Sequence, residues 1–249
     1  MKITGNTILI TGGTSGIGLS LAEKLLAQGN KVIITGRRAN RLNDIKARLP
    51  EIIIKESDVA DAGQRVELKD WISKNHPDMN MLINNAGVQL VFDLKTPIDP
   101  DRVHSETETN FVAPVHLSTL FVPLLTDKAD SAIINVTSGL VFVPVALMPV
   151  YCATKAAMHS FTLSLRYQLK DTAIKVFEII PPQVDTELGH DRRADKNKSH
   201  GGMPPDEFVG HFISAIQSDE LEAAIGAAEG LRQQRETIFE RFNDSVVLI

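Results

Sequence analysis

The chain has little cysteine and no surplus of basic charge, and each shortage excludes a class of protein. Among its 249 residues Cys152 is the only cysteine. An intramolecular disulfide and a cysteine-based zinc site are therefore excluded, which fits a reducing compartment. The formal net charge of -5 argues against a nucleic-acid partner, because such proteins carry a basic surplus or stripe.

Long uninterrupted hydrophobic runs are also scarce. The first six residues lack the apolar core of a secretory signal, and strand-like sequence begins almost at once. The most apolar stretch, Ile133 to Val150, is interrupted by Asn135, Pro144 and Pro149, which disfavours a membrane helix. We therefore predict a cytoplasmic protein with no membrane partner.

Two further motifs are missing. The seven histidines, including His190 and His200, show no metal-ligand spacing, so no metal site is predicted. The chain also lacks the Gly-Lys-Ser/Thr phosphate loop of nucleotide hydrolases. What remains, with 43% hydrophobic and 23% charged residues, is the composition of an ordinary globular protein.

Short β-rich runs alternate with helical patterns along the chain. The runs lack polar alternation, as expected of strands that are buried on both faces of a parallel sheet. They cover residues 7–10, 31–34, 52–54, 81–83, 132–136 and 174–180. Helices are predicted over 19–28, 62–74, 101–125, 151–170, 206–216 and 227–242. This order predicts an α/β fold with a doubly wound, Rossmann-like parallel sheet of about seven strands and helices on both faces, in a single domain over residues 1–249.

A glycine-rich turn follows the first predicted strand and opens a helix. Glycines there permit a tight turn and close approach of the backbone to a pyrophosphate, which the helix N-terminus can bind through its N–H groups. The strand-turn-helix context favours a dinucleotide site. The predicted binding residues of this turn are Gly12, Thr14, Ser15, Gly16, Ile17 and Gly18.

The second predicted strand ends in two arginines. NAD-binding proteins present an acidic residue here to the ribose hydroxyls, whereas this chain has Arg37 and Arg38. Guanidinium groups suit a 2′-phosphate, because they form planar, charge-assisted pairs with it. The sequence therefore favours NADP(H), with NAD(H) possible.

Tyr151 and Lys155 are four residues apart in a predicted helix, so their side chains share one face. A neighbouring ammonium stabilises a phenolate and lowers the pKa of the phenol. Taken alone, such a pair is commonly plain helix surface. Beside a predicted dinucleotide site it indicates a proton donor.

These elements together resemble the compact single-domain branch of the short-chain dehydrogenase/reductase family, from Thr7 to about Thr186. The family's Thr-Gly-xxx-Gly-x-Gly motif appears at Thr11, Gly12, Gly16 and Gly18. Its Asn-Asn-Ala-Gly motif begins at Asn84, and its catalytic positions match Asn110, Ser138, Tyr151 and Lys155. The resemblance implies further cofactor contacts at Asp58, Val59, Asn85, Ala86, Gly87, Pro181, Val184 and Thr186, with Tyr151 and Lys155 also touching the cofactor.

The resemblance implies hydride transfer between nicotinamide and a carbonyl or secondary alcohol. Tyr151 would be the general acid or base, and Ser138 would stabilise charge on the substrate oxygen. Lys155 would hold the ribose and lower the pKa of the tyrosine, while Asn110 would place a water that links Lys155 to solvent. Members commonly assemble through helices, so a homodimer or homotetramer is predicted. Pro182 departs from the family's Pro-Gly, which implies a different loop path under the nicotinamide.

The substrate side carries fewer signals. The apolar run Leu140 to Pro149 lies between Ser138 and Tyr151 and should either line a pocket for a partly apolar small molecule or pack on the core. Residues 187–218 are predicted to form a substrate loop or lid, with the basic residues 192, 193, 196 and 198 either facing an anionic substrate or solvated. A non-catalytic NADP(H)-binding sensor or scaffold remains the alternative function.

Overall fold

The computed structural model describes residues 1–189 and 201–245. Its centre is a seven-stranded sheet in the order β3-β2-β1-β4-β5-β6-β7, and every neighbouring pair is parallel. The strands are β1 (Thr7–Ile10), β2 (Lys31–Gly36), β3 (Ile53–Glu56), β4 (Met81–Asn84), β5 (Ala132–Val136), β6 (Lys175–Ile180) and β7 (Glu222–Ala224).

Helices cover both faces of the sheet. They are α1 (Gly16–Ala27), α2 (Ala39–Arg48), α3 (Ala62–Asn75), α4 (Pro100–Thr107), α5 (Ala113–Thr126), α6 (Pro149–Gln168), α7 (Pro205–Gln217), α8 (Ala227–Gln234) and α9 (Phe239–Ser245). Buried side chains of α1, α2 and α7 pack on one face, and those of α3, α5 and α6 pack on the other. This arrangement confirms the predicted doubly wound α/β fold.

The continuous apolar strands are explained by burial on both sides. In β1, Ile8 and Ile10 join the cluster with α1 and α7, whereas Leu9 joins the cluster with α3 and α5. Because successive side chains of a strand point to opposite faces, most positions of such a strand are apolar. The absence of polar alternation in the sequence therefore correctly indicated strands that are buried on both faces.

The structure differs from the predicted elements in three helical regions. The predicted helix 101–125 is interrupted between α4 and α5 by a π-helical turn, Glu108–Val112. The predicted helix 227–242 is broken into α8, a 3₁₀ turn and α9, with a positive φ of 51° at Arg235. Helix α2 was not predicted, because only Leu42 and Ile45 of its ten residues are buried.

The predicted lid region falls into two parts. Residues 205–217 form α7, whose Phe208 and Phe212 are fully buried in the core, so this part packs as a structural helix. Residues 190–200 lie outside the described residues, and with them His190, His200 and the basic positions 192, 193, 196 and 198. A lid and a single domain over 1–249 stay predictions.

The continuous helical span Pro100–Thr126 is long and apolar enough to cross a membrane by length and composition alone. Its side chains Ala113, Leu117, Phe121 and Leu125 pack against the sheet, which accounts for its hydropathy. A buried core helix passes the same test.

Phe121 offers a direct measure of this core. It is fully buried, so we expect Phe121→Ala to lower the free energy of unfolding by about 3–5 kcal/mol through lost contacts and a residual cavity. Phe239→Ala is the matched control, because Phe239 is 38% exposed and should cost far less, within about 1 kcal/mol. Chemical denaturation monitored by circular dichroism compares them, and equal losses would contradict the packing described here.

Candidate active site

The predicted site residues converge at the carboxyl ends of β1 and β4, where the strand order reverses. Open parallel sheets bind ligands in the crevice at this point. The Thr11 hydroxyl accepts hydrogen bonds from the backbone N–H groups of Asn85 and Ala86 at 3.0 and 3.1 Å. The Asn85 amide in turn donates to the carbonyls of Thr11 and Gly12 at 2.9 and 3.2 Å. The two motifs are thus fastened to each other.

Two glycines of the first turn are required by geometry. Gly12 has φ +68°, and an added Cβ would lie 2.8 Å from the Cα of Ala86. Gly16 has φ +53°, and an added Cβ would lie 3.0 Å from the Cβ of Thr186. Side chains at these positions would fill the space between the turn and the loops that follow β4 and β6.

The turn leads into the N-terminus of α1. Ser15 is the N-cap in an extended conformation, and its side chain makes no capping hydrogen bond. Ile17 and Gly18 lie in the first turn of the helix. The backbone N–H groups there face the crevice end of the helix, which suits an anion such as a pyrophosphate.

A group of arginines borders the crevice beside this turn. Arg38 donates to the Thr14 hydroxyl at 3.3 Å, and Arg37 lies 4.0 Å from the Asp58 carboxylate. Arg41, which sequence reasoning missed, makes two bonds of 2.7 and 2.6 Å to the carboxylate oxygens of Glu187. The available signal was its position three residues after Arg38, one turn along a helix that was not predicted.

Asp58 and Val59 follow β3 at the same edge of the sheet. The Asp58 carboxylate accepts a hydrogen bond from the backbone N–H of Ala60 at 3.0 Å, and its backbone N–H donates to Gln64. Val59 is buried. The side chain of Asp58 remains partly exposed beside Arg37, where it can meet a ligand.

Tyr151 and Ser138 meet on the other side of the crevice. Ser138 follows β5, and Tyr151 lies in the first turn of α6 after Pro149, a residue suited to that position. Burial raises the pKa of Tyr151 well above its ordinary value, and the hydrogen bond with Ser138 lowers it in part. Sequence reasoning expected Lys155 to lower the pKa of Tyr151, whereas in the structure burial outweighs the lowering effects.

Lys155 lies one turn further along α6, with its ammonium nitrogen 5.7 Å from the Tyr151 ring centroid. The ammonium donates to the Val136 carbonyl at 2.9 Å and is buried. Burial lowers the pKa of Lys155 to about 8, and the Glu178 carboxylate raises it in part. The ammonium is therefore close to losing its proton in the neutral to mildly alkaline range.

Asn110 connects the loop after β4 to α6. Its side chain accepts from the Val88 N–H at 2.9 Å and donates to the Val88 carbonyl at 2.8 Å. It also donates to the Thr154 hydroxyl at 3.3 Å. An added Cβ at Gly87 would lie 3.4 Å from the Asn110 oxygen and 3.8 Å from the Lys155 nitrogen. The π-helical turn, a feature often found at functional sites, thus places Asn110 among the predicted site residues.

The apolar loop between Ser138 and Tyr151 packs largely on the protein, as one of its two interpretations predicts, and the lining of a substrate pocket stays a prediction. Val143 and Val145 are buried in the core, with Phe142 beside Val143. Leu147 and Met148 are only partly buried around Tyr151. Cys152 is buried in the same cluster.

The loop after β6 follows a defined path despite Pro182. The Pro181 carbonyl accepts a hydrogen bond from the Gly139 N–H at 2.9 Å, which joins this loop to the Ser138 loop. Val184 is buried and bridges to Met203. Thr186 lies against Gly16. Thr186 therefore borders the glycine-rich turn, while Pro181 and Val184 lie on the same loop and contact Gly139 and Met203.

One group of possible metal ligands occurs among residues 1–189 and 201–245. His159, Glu178 and Glu222 place ligand atoms within 4.8 Å of one another. Sequence reasoning predicted no metal site and missed this group, because its members lie on α6, β6 and β7 with no common spacing.

Sequence comparisons identify a family and several similar proteins. A sequence profile of the family described as short chain dehydrogenase matches residues 6–197. The uncharacterized oxidoreductase DltE of Bacillus subtilis is 47% identical over 242 residues, covering 97% of this chain and 96% of that protein. The NADP-dependent 3-hydroxy acid dehydrogenase YdfG of Escherichia coli is 32% identical over 197 residues, covering 76% of this chain and 79% of that protein.

A solved structure agrees with the sequence comparisons. A short chain dehydrogenase from Burkholderia cenocepacia in complex with NADP superposes with a TM-score of 0.81 at 28% identity, over 94% of each chain. Fold, motif positions and matched length together show that this chain belongs to the short chain dehydrogenase family of oxidoreductases.

Proposed function

We propose that the protein is an NADP(H)-dependent oxidoreductase that transfers a hydride between nicotinamide and the carbonyl or secondary alcohol of a partly apolar small molecule. The observation that carries the proposal is the meeting of Tyr151, Ser138, Lys155 and Asn110 beside the glycine-rich turn. The gaps at Gly12, Gly16 and Gly87 fit a dinucleotide, because side chains there would occupy the crevice.

The chain's own residues account for the proton chemistry. A bound nicotinamide supplies or accepts the hydride. During reduction Tyr151 donates its phenolic proton to the carbonyl oxygen, and Ser138 hydrogen-bonds that oxygen as charge develops on it. Lys155 holds the ribose and stabilises the resulting phenolate by its charge. Asn110, close to the ammonium, positions the water through which the proton is restored.

Three arginines support NADP(H) over NAD(H). Arg37, Arg38 and Arg41 border the crevice near Thr14, where the 2′-phosphate of NADP would lie. Phosphate pairs well with guanidinium groups, and Asp58 and Glu187 neutralise only part of their charge. Two similar proteins use or bind NADP: the YdfG dehydrogenase is NADP-dependent, and the Burkholderia dehydrogenase was solved in complex with NADP. NAD(H) remains possible as a weaker cofactor.

The substrate body is proposed to be apolar in part. Leu140, Leu147 and Met148 are partly buried around Tyr151 and can contact a hydrophobic group beside the carbonyl. Small-molecule reduction in the cytoplasm agrees with the net charge and the single buried cysteine.

The first experiment measures NADPH and NADH binding by fluorescence, then NADPH oxidation with a panel of aldehydes, ketones and diketones. We expect Tyr151→Phe to lower kcat by about 10²–10⁴-fold, the usual share of a general acid, while cofactor binding is kept. Tyr167→Phe is the matched control on the same helix, because Tyr167 is 69% exposed. Binding without turnover on any substrate favours the sensor or scaffold alternative, and no binding overturns the cofactor assignment.

Cofactor selectivity tests the arginines separately. Arg37→Asp should weaken NADPH binding by about tenfold or more and shift preference toward NADH, because a carboxylate repels the 2′-phosphate. Arg48→Asp on α2 is the control, since this exposed residue pairs with Glu23 away from Thr14. Unchanged selectivity in the Arg37 variant would remove this residue from the site.

The homo-oligomer is proposed to form through α4 and α6. An apolar groove lies between these helices and the π-helical turn, lined by Leu94, Val103, Phe111, Val150, Ala153 and Ala157. We expect Ala153→Glu to shift the protein from dimer or tetramer toward monomer in light scattering, because the charge would enter an apolar contact. Ala47→Glu on α2, at the opposite face of the sheet, should leave the mass unchanged. A monomeric wild type would refute the assembly.

A further inference from the structure

A row of polar side chains crosses the otherwise apolar sheet near the active site. Asn84 of β4 pairs in register with Asn135 of β5, which pairs with Glu178 of β6, which pairs with Glu222 of β7. Asn135 and Glu178 are fully buried and Asn84 nearly so. Buried polar groups in a sheet require hydrogen-bond partners. By the kind of partner they have, the residues of this row form two halves, the first with Asn84 and Asn135 and the second with Glu178.

The first half is a neutral hydrogen-bond network. Asn84 donates to Asn135 at 2.9 Å and to the Ser118 hydroxyl at 3.1 Å. Asn135 donates to the Thr162 hydroxyl of α6 at 2.9 Å. These bonds join β4 and β5 to the helices above them and bring no charge to the active site.

The second half holds a buried carboxylate. One oxygen of Glu178 accepts from the Thr137 hydroxyl at 2.7 Å, and the other lies 2.8 Å from the His159 ring nitrogen. A carboxylate without exposure is costly unless it is hydrogen-bonded and its charge is balanced. Thr137 and His159 supply the hydrogen bonds, and the charge of Glu178 raises the pKa of Lys155 in part.

The two residues that hydrogen-bond Glu178 lie close in the chain or on α6 to Lys155 or to its hydrogen-bond acceptor. Thr137 directly follows Val136, whose carbonyl accepts from the Lys155 ammonium. His159 lies one helical turn beyond Lys155, which itself lies one turn beyond Tyr151. Glu178 is therefore linked to Lys155 in two ways, through the adjacent residues Val136 and Thr137 and along one face of α6 through His159.

We propose that Glu178 is a positioning residue that acts through Lys155: its buried carboxylate, fixed by Thr137 and His159, keeps the Lys155 ammonium charged beside Tyr151. The inference rests on the proposed function for its effect on turnover, because only a reductase needs that charge during proton transfer. The charge state of Lys155 itself can be measured without turnover.

Other ionisable groups lie near Glu178, His159 and Tyr151. On the β7 side Glu222 is paired with Arg232 at 3.2 Å, and Arg235 lies over the Phe142 ring that contacts His159. Around Tyr151, the thiol of Cys152 and the buried carboxyl of Glu106 raise the pKa of the phenol.

His159 also stabilises the buried carboxylate. Its hydrogen bond to Glu178 raises the pKa of the imidazole above its ordinary value.

The test is an NMR titration of lysine side chains labelled with ¹³C and ¹⁵N, in which the Lys155 signal is assigned by its loss in Lys155→Arg. Glu178→Gln keeps the shape and removes the charge, so the Lys155 midpoint should fall by roughly one pH unit. In the same variant the alkaline limb of kcat/KM should move to lower pH by a similar shift. Glu222→Gln, on the adjacent strand and already paired with Arg232, is the matched control and should change both far less.

Thr137→Val provides a second variant if Glu178→Gln fails to fold. It removes one hydrogen bond to the carboxylate and should shift the Lys155 midpoint in the same direction by a smaller amount. An unchanged midpoint in a folded variant overturns the proposal. Zinc binding by wild type that Glu222→Gln abolishes, measured by calorimetry, also overturns it, because the carboxylates would then be metal ligands. A shifted midpoint in a protein without turnover supports the charge assignment and refutes only the reductase.

Discussion

The reciprocal hydrogen bonds between Thr11 and Asn85 are the contact on which the rest of the site depends. One hydroxyl accepts from two backbone N–H groups after β4, and one amide donates to two carbonyls after β1. Parallel strands alone bring their carboxyl ends to one edge of a sheet without fixing the loops that follow. These bonds fix both loops, and through the Val88 backbone held by Asn110 they fix the position of α6 as well.

Burial shifts the pKa values of the two central residues of the site. Desolvation disfavours the charged forms of both central residues, so it raises the pKa of Tyr151 and lowers the pKa of Lys155 to about 8. A neutral phenol is the correct form for donating a proton, whereas a neutral amine could not stabilise the phenolate left behind. The hydrogen bond from Ser138 and the buried carboxylate of Glu178 oppose these two effects, one on each residue.

The fold and the glycine-rich motifs could be predicted because their causes are local. An apolar strand buried on both faces leaves a continuous run in the sequence, and a tight turn beside a backbone leaves glycine. Helix α2 has almost no apolar periodicity in its sequence, because this charged helix buries only Leu42 and Ile45. Arg41 was missed together with this helix. The relation of Glu178 to His159 and Lys155 depends on strand register and on how α6 lies over the sheet, which no spacing within the chain records.

The loop proposed to contact the substrate lies within the family match, but residues beyond the end of that match at residue 197 support it. Helix α8 packs Ala228 and Leu231 against Gly139, where an added Cβ would lie 3.1 Å from each side chain. Phe242 of α9 contacts both the Phe142 cluster and the Tyr151 cluster. Asn243 accepts from the Ala146 N–H at 2.6 Å and donates to the Pro144 carbonyl at 3.0 Å.

The C-terminal segment therefore holds the loop that precedes Tyr151. The Pro182 ring also lies toward this segment, 3.8 Å from the position of an added Cβ on Gly226, in the turn that opens α8. In the proposed reductase Tyr151 and Lys155 carry the proton chemistry from α6, whereas α8 and α9 hold the loop that precedes Tyr151 and also meet β6 and the loop that follows it. Substitutions in α8 and α9 would therefore change the surroundings of these loops while the Tyr151 and Lys155 positions within α6 stay the same.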